Sequence, residues 1–249
     1  MLLEHKTAIV YGAAGAVGSA VACAFAREGA RVVLVGRTQQ RLDKVAKQIR
    51  DAGGTARTAV VDVTDTAAMR AHADEVATAN GVNGGIDIAF NATSNDDLQG
   101  TPLLGMDFAD VVRPVSKVIA THFTIATVTA PHMRGRGGVI LAMGGGREAI
   151  PLLGGSHVAW SALAGLCRQL AAELGPSGIR VAWLLSPGSP DPGDGDAMPG
   201  DSEPLADGTL LGRRPSYADV ANAAVFAASD WAATMTATEI NLTGGAVID

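Results

Sequence analysis

Apolar runs of strand length alternate along the chain with stretches whose apolar residues recur every third or fourth position. Residues 7–12 (TAIVYG), 31–36 (RVVLVG), 55–63, 85–93, 137–145, 179–188 and 238–245 make up the first set. Residues 19–28, 40–52, 67–79, 108–133, 161–174 and 217–228 make up the second. Strands that are apolar on both sides need cover on both faces, and regular alternation with helices favours parallel pairing through crossovers. The pattern therefore predicts an α/β chain with a doubly wound sheet. With 249 residues, 47% of them hydrophobic, the chain can bury one large core, and neither an internal repeat nor a linker divides 1–249. The one break is 187–215, rich in Pro, Gly and Asp. Ligands bind at the carboxyl ends of strands in open α/β sheets, so 189–214 is read as a lid over the cleft. The competing reading is a surface loop without function.

The first strand runs into Gly12-Ala-Ala-Gly15-Ala16-Val17-Gly18, which opens the first helix. Gly12 permits a tight turn, Gly15 lets the backbone approach a pyrophosphate, and Gly18 lets helix lie close on strand, with the helix N-terminus favouring phosphate charge. At the end of the second strand a dinucleotide enzyme that prefers NAD(H) places an acid on the ribose hydroxyls. Here Gly36 and Arg37 stand there, so NADP(H) is expected over NAD(H), Arg37 pairing with a 2′-phosphate. Asp62-Val63 and Asn91-Ala92-Thr93 fall at the same sheet edge. Asp62 either accepts from an adenine amino group or caps the next helix; Asn91 either holds the loop beside the cofactor or caps.

Composition removes several functions. A net charge of −6 argues against a nucleic-acid backbone as partner. Residues 8–26 carry no charge, but three glycines break the run, so a membrane span is not expected. The opening MLLEHK lacks an export signal, and Cys23 and Cys167 read as reduced core thiols, which favours the cytoplasm. The histidines show no metal-ligand spacing, so no metal is expected. The chain has only four lysines (Lys6, Lys44, Lys47, Lys117) and two tyrosines (Tyr11, Tyr217).

The segments YGAAGAVG (11–18), VVLVGR (32–37), DVTD (62–65), IAFNAT (88–93), LAAELGPSGIRVAWLLSPG (170–188), GRRPSYADVANAAVFAASD (212–230) and INLTGG (240–245) resemble the short-chain dehydrogenase/reductase family over the whole chain. The resemblance implies one Rossmann-like domain with a seven-stranded parallel sheet, a nicotinamide cofactor contacted also by Pro187 and Gly188, and a homodimer or homotetramer. It also implies a catalytic Tyr with a Lys four residues on, a Ser before them and an Asn on the preceding long helix. Matching SHVAWSALAGLCRQLAAELG without a gap puts the Tyr position at Ser156 and the Lys position at Trp160. The Ser position falls within 143–145, at Gly144, and the Asn position on or beside Val118. All four polar groups are therefore absent, and no Tyr or Lys occurs anywhere from 118 to 216. His157 is the nearest titratable group, though neighbouring positions on a helix point about 100° apart. Trp160 either contacts a ligand or fills core, and Arg147 with Glu148 reads as an exposed pair. Two functions follow: an NADP(H)-linked oxidoreductase with an atypical proton donor, or a catalytically silent sensor, partner subunit or non-redox user of the cleft.

Overall fold

The computed structural model describes residues 1–79, 84–186 and 208–248. Seven strands, β1 (Thr7–Tyr11), β2 (Arg31–Gly36), β3 (Thr55–Val60), β4 (Ile88–Asn91), β5 (Gly138–Gly144), β6 (Ile179–Leu185) and β7 (Thr238–Asn241), form one parallel sheet in the order β3-β2-β1-β4-β5-β6-β7. The helices are α1 (Ala16–Arg27), α2 (Gln39–Asp51), α3 (Thr66–Thr78), α4 (Phe108–Thr129), α5 (Ser156–Leu174) and α6 (Tyr217–Ala228). This is the expected doubly wound fold. The strand order reverses between β1 and β4, so the crevice above their carboxyl ends is where such a sheet receives a ligand.

Side chains alternate across the sheet as strand geometry requires. Ala8 and Val10 of β1 enter the core under α1, α2 and α6, with Leu34, Phe90 and Leu184; Ile9 and Tyr11 enter the core under α3, α4 and α5, with Val35, Val118, Ile125 and Leu163. Phe25 of α1 meets Phe90 of β4 edge to face, ring centres 6.3 Å apart, and both are fully buried. Burial of each ring stabilises the fold by about 2–3 kcal/mol.

The expected elements shift mainly at their ends. β3 stops at Val60, three residues short, because it is an edge strand with Thr55, Arg57 and Val60 exposed. β7, the other edge, stops at Asn241, whose Oδ1 accepts the Thr243 N–H and turns the chain. α5 starts five residues earlier than its apolar periodicity suggests, because its first turn holds the polar Ser156 and His157. Pro187, Gly188 and most of 189–214 lie outside the described residues. The described end of that stretch lies against the C-terminal turn: the Leu211 N–H donates to the Gly244 carbonyl at 3.0 Å.

Candidate active site

The turn between β1 and α1 is built from backbone. Gly12 has φ +76°, and a Cβ there would lie 2.6 Å from the Ala92 carbonyl oxygen at the end of β4. A Cβ on Gly18 would lie 2.2 Å from the Gly12 carbonyl oxygen, so α1 can pack on the turn only with glycine there. Gly15 differs. It has ordinary extended backbone, and a Cβ would meet only the Gly12 oxygen at 3.4 Å. Gly15 and Ala16 are exposed and Val17 is half-buried. The first turn of α1 has no side-chain cap and no acidic residue, so its N–H groups and positive dipole end face outward. Such a cradle fits a pyrophosphate.

Beside it, Gly36 ends β2 and carries no carboxylate; a Cβ there would press on the Leu42 side chain at 3.2 Å. Arg37 is exposed and lies close enough to Asp62 and Asp96 to lower the pKa of both carboxyls. For Asp62 the larger cause is hydrogen bonding, since its Oδ1 accepts from Thr64 N at 2.9 Å and Thr64 Oγ1 at 2.7 Å. It therefore does not cap α3; Asp65 does, accepting the Ala68 N–H at 3.0 Å. Nor is Asn91 a helix cap. Its Oδ1 accepts from Thr93 N at 2.9 Å and Thr93 Oγ1 at 2.8 Å, which holds the chain as it leaves β4 beside Ala92, and Val63 follows Asp62 at the same edge. Asn91 pairs in register with Tyr11, and among the described residues neither its Nδ2 nor the Tyr11 hydroxyl, both buried, has a hydrogen-bond partner. Burial pushes the Tyr11 phenol pKa up, which favours its neutral form.

The loop after Thr93 crosses from this side to the head of α5. Lys117 of α4 pairs with Asp96, which sits at φ +54°. That bond is the main cause holding the Asp96 carboxyl pKa down. The next residue, Asp97, faces α5: Ser156 Oγ donates to its Oδ2, and Gln99 Nε2 donates to the same Oδ2 at 2.7 Å and to Ser156 Oγ at 3.2 Å. Gly100 N–H then donates to the Leu152 carbonyl at 2.9 Å, tying this loop to the one after β5. Ser156 is fully buried under these groups.

Four residues along α5, the Trp160 indole covers the glycine run, so that a Cβ on Gly145 would lie 2.0 Å from its ring. Trp160, Gly145, Arg147, Arg168, Trp183 and Glu239 line a pocket of about 200 Å³ beside β6 and β7. Trp183 Nε1 donates to Glu239 at 2.7 Å, and the Arg168 guanidinium stacks 5.1 Å from the Trp183 ring centre. Arg147 donates to Glu239 at 3.0 Å, which corrects the expected pairing with Glu148; the strand β7 brings a half-buried carboxylate nearer than the sequence neighbour. Gly144 ends β5, with the Leu184 carbonyl 3.3 Å from where its Cβ would lie. Val118 is buried in the core, and its carbonyl accepts from His122 Nδ1 at 2.8 Å. His157 is half-buried and shares no hydrogen bond with the Ser156 cluster; its Nδ1 has no partner among the described residues.

A family model described as enoyl-(acyl carrier protein) reductase matches residues 12–247. An uncharacterised oxidoreductase of Bacillus subtilis, YxbG, is 31% identical over 255 residues, covering 98% of this chain and 91% of that one. The chain belongs to the short-chain dehydrogenase/reductase family. Among solved structures, a short-chain dehydrogenase of Burkholderia cenocepacia in complex with NADP superposes with a TM-score of 0.86 at 26% identity, covering 99% of each chain. A 7α-hydroxysteroid dehydrogenase complexed with NADH gives a TM-score of 0.84 at 28% identity over 99% of this chain and 96% of that one.

Within this family frame, the structure brings Gly12, Gly15, Gly18, Ala92 and Thr93 to one edge and sets Arg37 and Asp62 beside them. His157 stays outside the hydrogen-bond cluster at Ser156, which joins Asp97 and Gln99. Sequence reasoning missed Asp97, Gln99 and Lys117. The signal was present in the paired acids after the fourth strand and in a lysine one residue before Val118, but nothing in the pattern says which helix a loop carboxylate will face. Among the described residues no cluster of His, Cys, Asp and Glu could hold a metal ion, and no helix is long and apolar enough to cross a membrane.

Proposed function

We propose that this chain is a nicotinamide-dependent oxidoreductase of the short-chain family that favours NADP(H) and works without the Tyr and Lys of that family. The observation that carries the reading is the open cradle at the head of α1, where Gly15 leaves room for phosphate and uncapped N–H groups face outward. When bound, the cofactor supplies or takes the hydride. The chain's own part is to hold the pyrophosphate with the Gly12–Gly18 turn and the 2′-phosphate with Arg37, to keep Asp62 at the adenine, and to hold the loop beside the cofactor with Asn91, whose Oδ1 accepts from Thr93. The missing carboxylate at Gly36 supports NADP(H), since an acid there would bind free ribose hydroxyls and repel a phosphate.

A second reading is a silent NADP(H) sensor, a partner subunit or non-redox use of the cleft. It is favoured by Trp160, an uncharged ring turned onto Gly145 where the family resemblance places a cation. Assembly as a homodimer or homotetramer fits the exposed Phe108 and Phe123 on α4 and Val158 on α5. A cytoplasmic setting fits the free thiols of Cys23 and Cys167; burial pushes the Cys167 thiol up to about 12, which makes it unreactive.

Titration with NADPH by fluorescence or calorimetry is expected to give saturable binding; none at millimolar cofactor would overturn the oxidoreductase and sensor readings and leave only a partner subunit or non-redox use of the cleft. Turnover of carbonyls or alcohols by the loaded protein then separates them.

A further inference from the structure

We infer that Asp97 is the proton-transfer residue of this site, a carboxylate from the β4–α4 loop taking the part that a phenol on α5 plays elsewhere in the family. The inference rests on the oxidoreductase reading above and names its missing acid-base group.

Three observations converge. The first is position: Ser156, at the place the family alignment gives to the phenol, is fully buried and too short to reach out, and the side chain that stands over it is Asp97. The second is the division of labour between the two carboxylate oxygens. Oδ2 takes both the Ser156 and the Gln99 hydrogen bonds, whereas Oδ1 has no hydrogen bond among the described residues, and the residue remains partly exposed. One oxygen is thus fixed by donors and the other is left to accept a proton. The third is rigidity. The loop is held to α4 by Asp96 and Lys117, to α5 by Asp97 and Ser156, and to the β5–α5 loop by the Gly100 to Leu152 hydrogen bond. A base held from three sides keeps its geometry through a proton transfer. Trp160 and His157 offer no comparable group, the first having no ionisable atom and the second lying outside the cluster.

The substrate class the assignment calls for is a secondary alcohol, which carries both the C–H hydride and the O–H proton of the step. A bound oxidised nicotinamide would supply the hydride acceptor; Asp97 Oδ1 would take the O–H proton of the alcohol, leaving a ketone and a neutral Asp97, which would return the proton to water. In reverse, protonated Asp97 gives its proton to the carbonyl oxygen as the hydride arrives. Ser156 and Gln99 are positioning residues: they donate to Oδ2 and aim Oδ1.

The test uses the full chain with NADP⁺ and a panel of secondary alcohols, cyclohexanol as the reference. Asp97→Ala should lower oxidation at least 100-fold, within the usual span for loss of a general base, with NADPH affinity within about twofold of the parent. Sodium formate should restore part of that activity in Asp97→Ala and have no effect on the parent, since a small carboxylate replaces a base but does not repair a structure. Ser156→Ala should lose about tenfold and not respond to formate. Independently of turnover, the Asp97 carboxyl ¹³C resonance, assigned by its disappearance in Asp97→Ala, should shift when cyclohexanol is added. If Asp97→Ala does not fold, Asp97→Asn, which can still accept from Ser156, carries the same comparison. Full activity in the variant, loss of activity without formate rescue, no carboxyl shift, or a parent that binds NADP⁺ yet oxidises no alcohol would each overturn the assignment. Failure to bind NADP⁺ at all would instead overturn the oxidoreductase reading beneath it.

Discussion

At the head of α1 the site is made of backbone, whereas at the head of α5 it is made of side chains borrowed from other elements. In the first region three glycines let a strand, a turn and a helix approach until a single methyl group at Gly12 or Gly18 would lie within 2.6 Å or 2.2 Å of a carbonyl oxygen. In the second, Ser156 depends on Asp97 and Gln99 from the preceding loop, and Trp160 depends on a glycine at 145 to make room for its ring. Such a site tolerates no side chain at Gly12 or Gly18 and so keeps its form. A side-chain site can be rebuilt from neighbouring segments while the frame stays in place.

The contrast is sharpest at Gly18. Gly18→Val should cost more than about 4 kcal/mol, because the clash is with backbone that cannot yield without opening the turn. Denaturant unfolding checks this, and a variant within about 1 kcal/mol of the parent would mean that the turn is softer than its geometry implies.

The α4 side of the second region carries a pH dependence of its own. Burial lowers the His122 pKa from 6.5 to about 4, and Nδ1–H donates a hydrogen bond to the Val118 carbonyl while Nε2 has no partner among the described residues. The folded chain thus holds His122 neutral while the unfolded chain binds a proton below its ordinary value. Stability should be intact above pH 6.5 and fall by about 3 kcal/mol as pH drops toward 4. His122→Leu should flatten that slope in unfolding measured across the range; an unchanged slope would assign the acid sensitivity to other groups.

At Gly145 a side chain would collide with an indole that can swing. Gly145→Ala should therefore cost about 1–3 kcal/mol, less than Gly18→Val. In the double variant with Trp160→Ala the two losses should add to less than their sum, as expected when one change relieves the other. Strict additivity would show that the two residues do not meet. Smaller still is the effect at the adenosine edge. Arg37→Ala should weaken NADPH binding about tenfold, ~1.4 kcal/mol, and leave NADH unchanged. Equal weakening of both cofactors would remove the 2′-phosphate role.

The first region was legible in sequence because its signal is local. Gly12, Gly15 and Gly18 follow an apolar run and open a helix, and each spacing answers one geometric need within a few residues. The sheet was legible for the same reason, apart from edges such as β3, whose exposed Thr55, Arg57 and Val60 blur the strand's end. The second region was legible only as an absence. Ser156 and Trp160 could be named by matching α5, but that Asp97 lies over Ser156, or that Glu239 rather than Glu148 meets Arg147, depends on contacts 59 and 92 positions apart. Long-range pairing of polar side chains leaves no periodicity to read.

The claim that the head of α1 is a phosphate cradle is tested most directly at Gly15, the one glycine of the three where an added Cβ would make only an ordinary contact, with the Gly12 oxygen at 3.4 Å. NADPH affinity should fall more than tenfold in Gly15→Val, with stability lowered by only about 1 kcal/mol for the loss of glycine at the N-cap of α1, because the added side chain stands where the pyrophosphate would lie and touches little else. Unchanged affinity in a folded Gly15→Val protein would contradict the account.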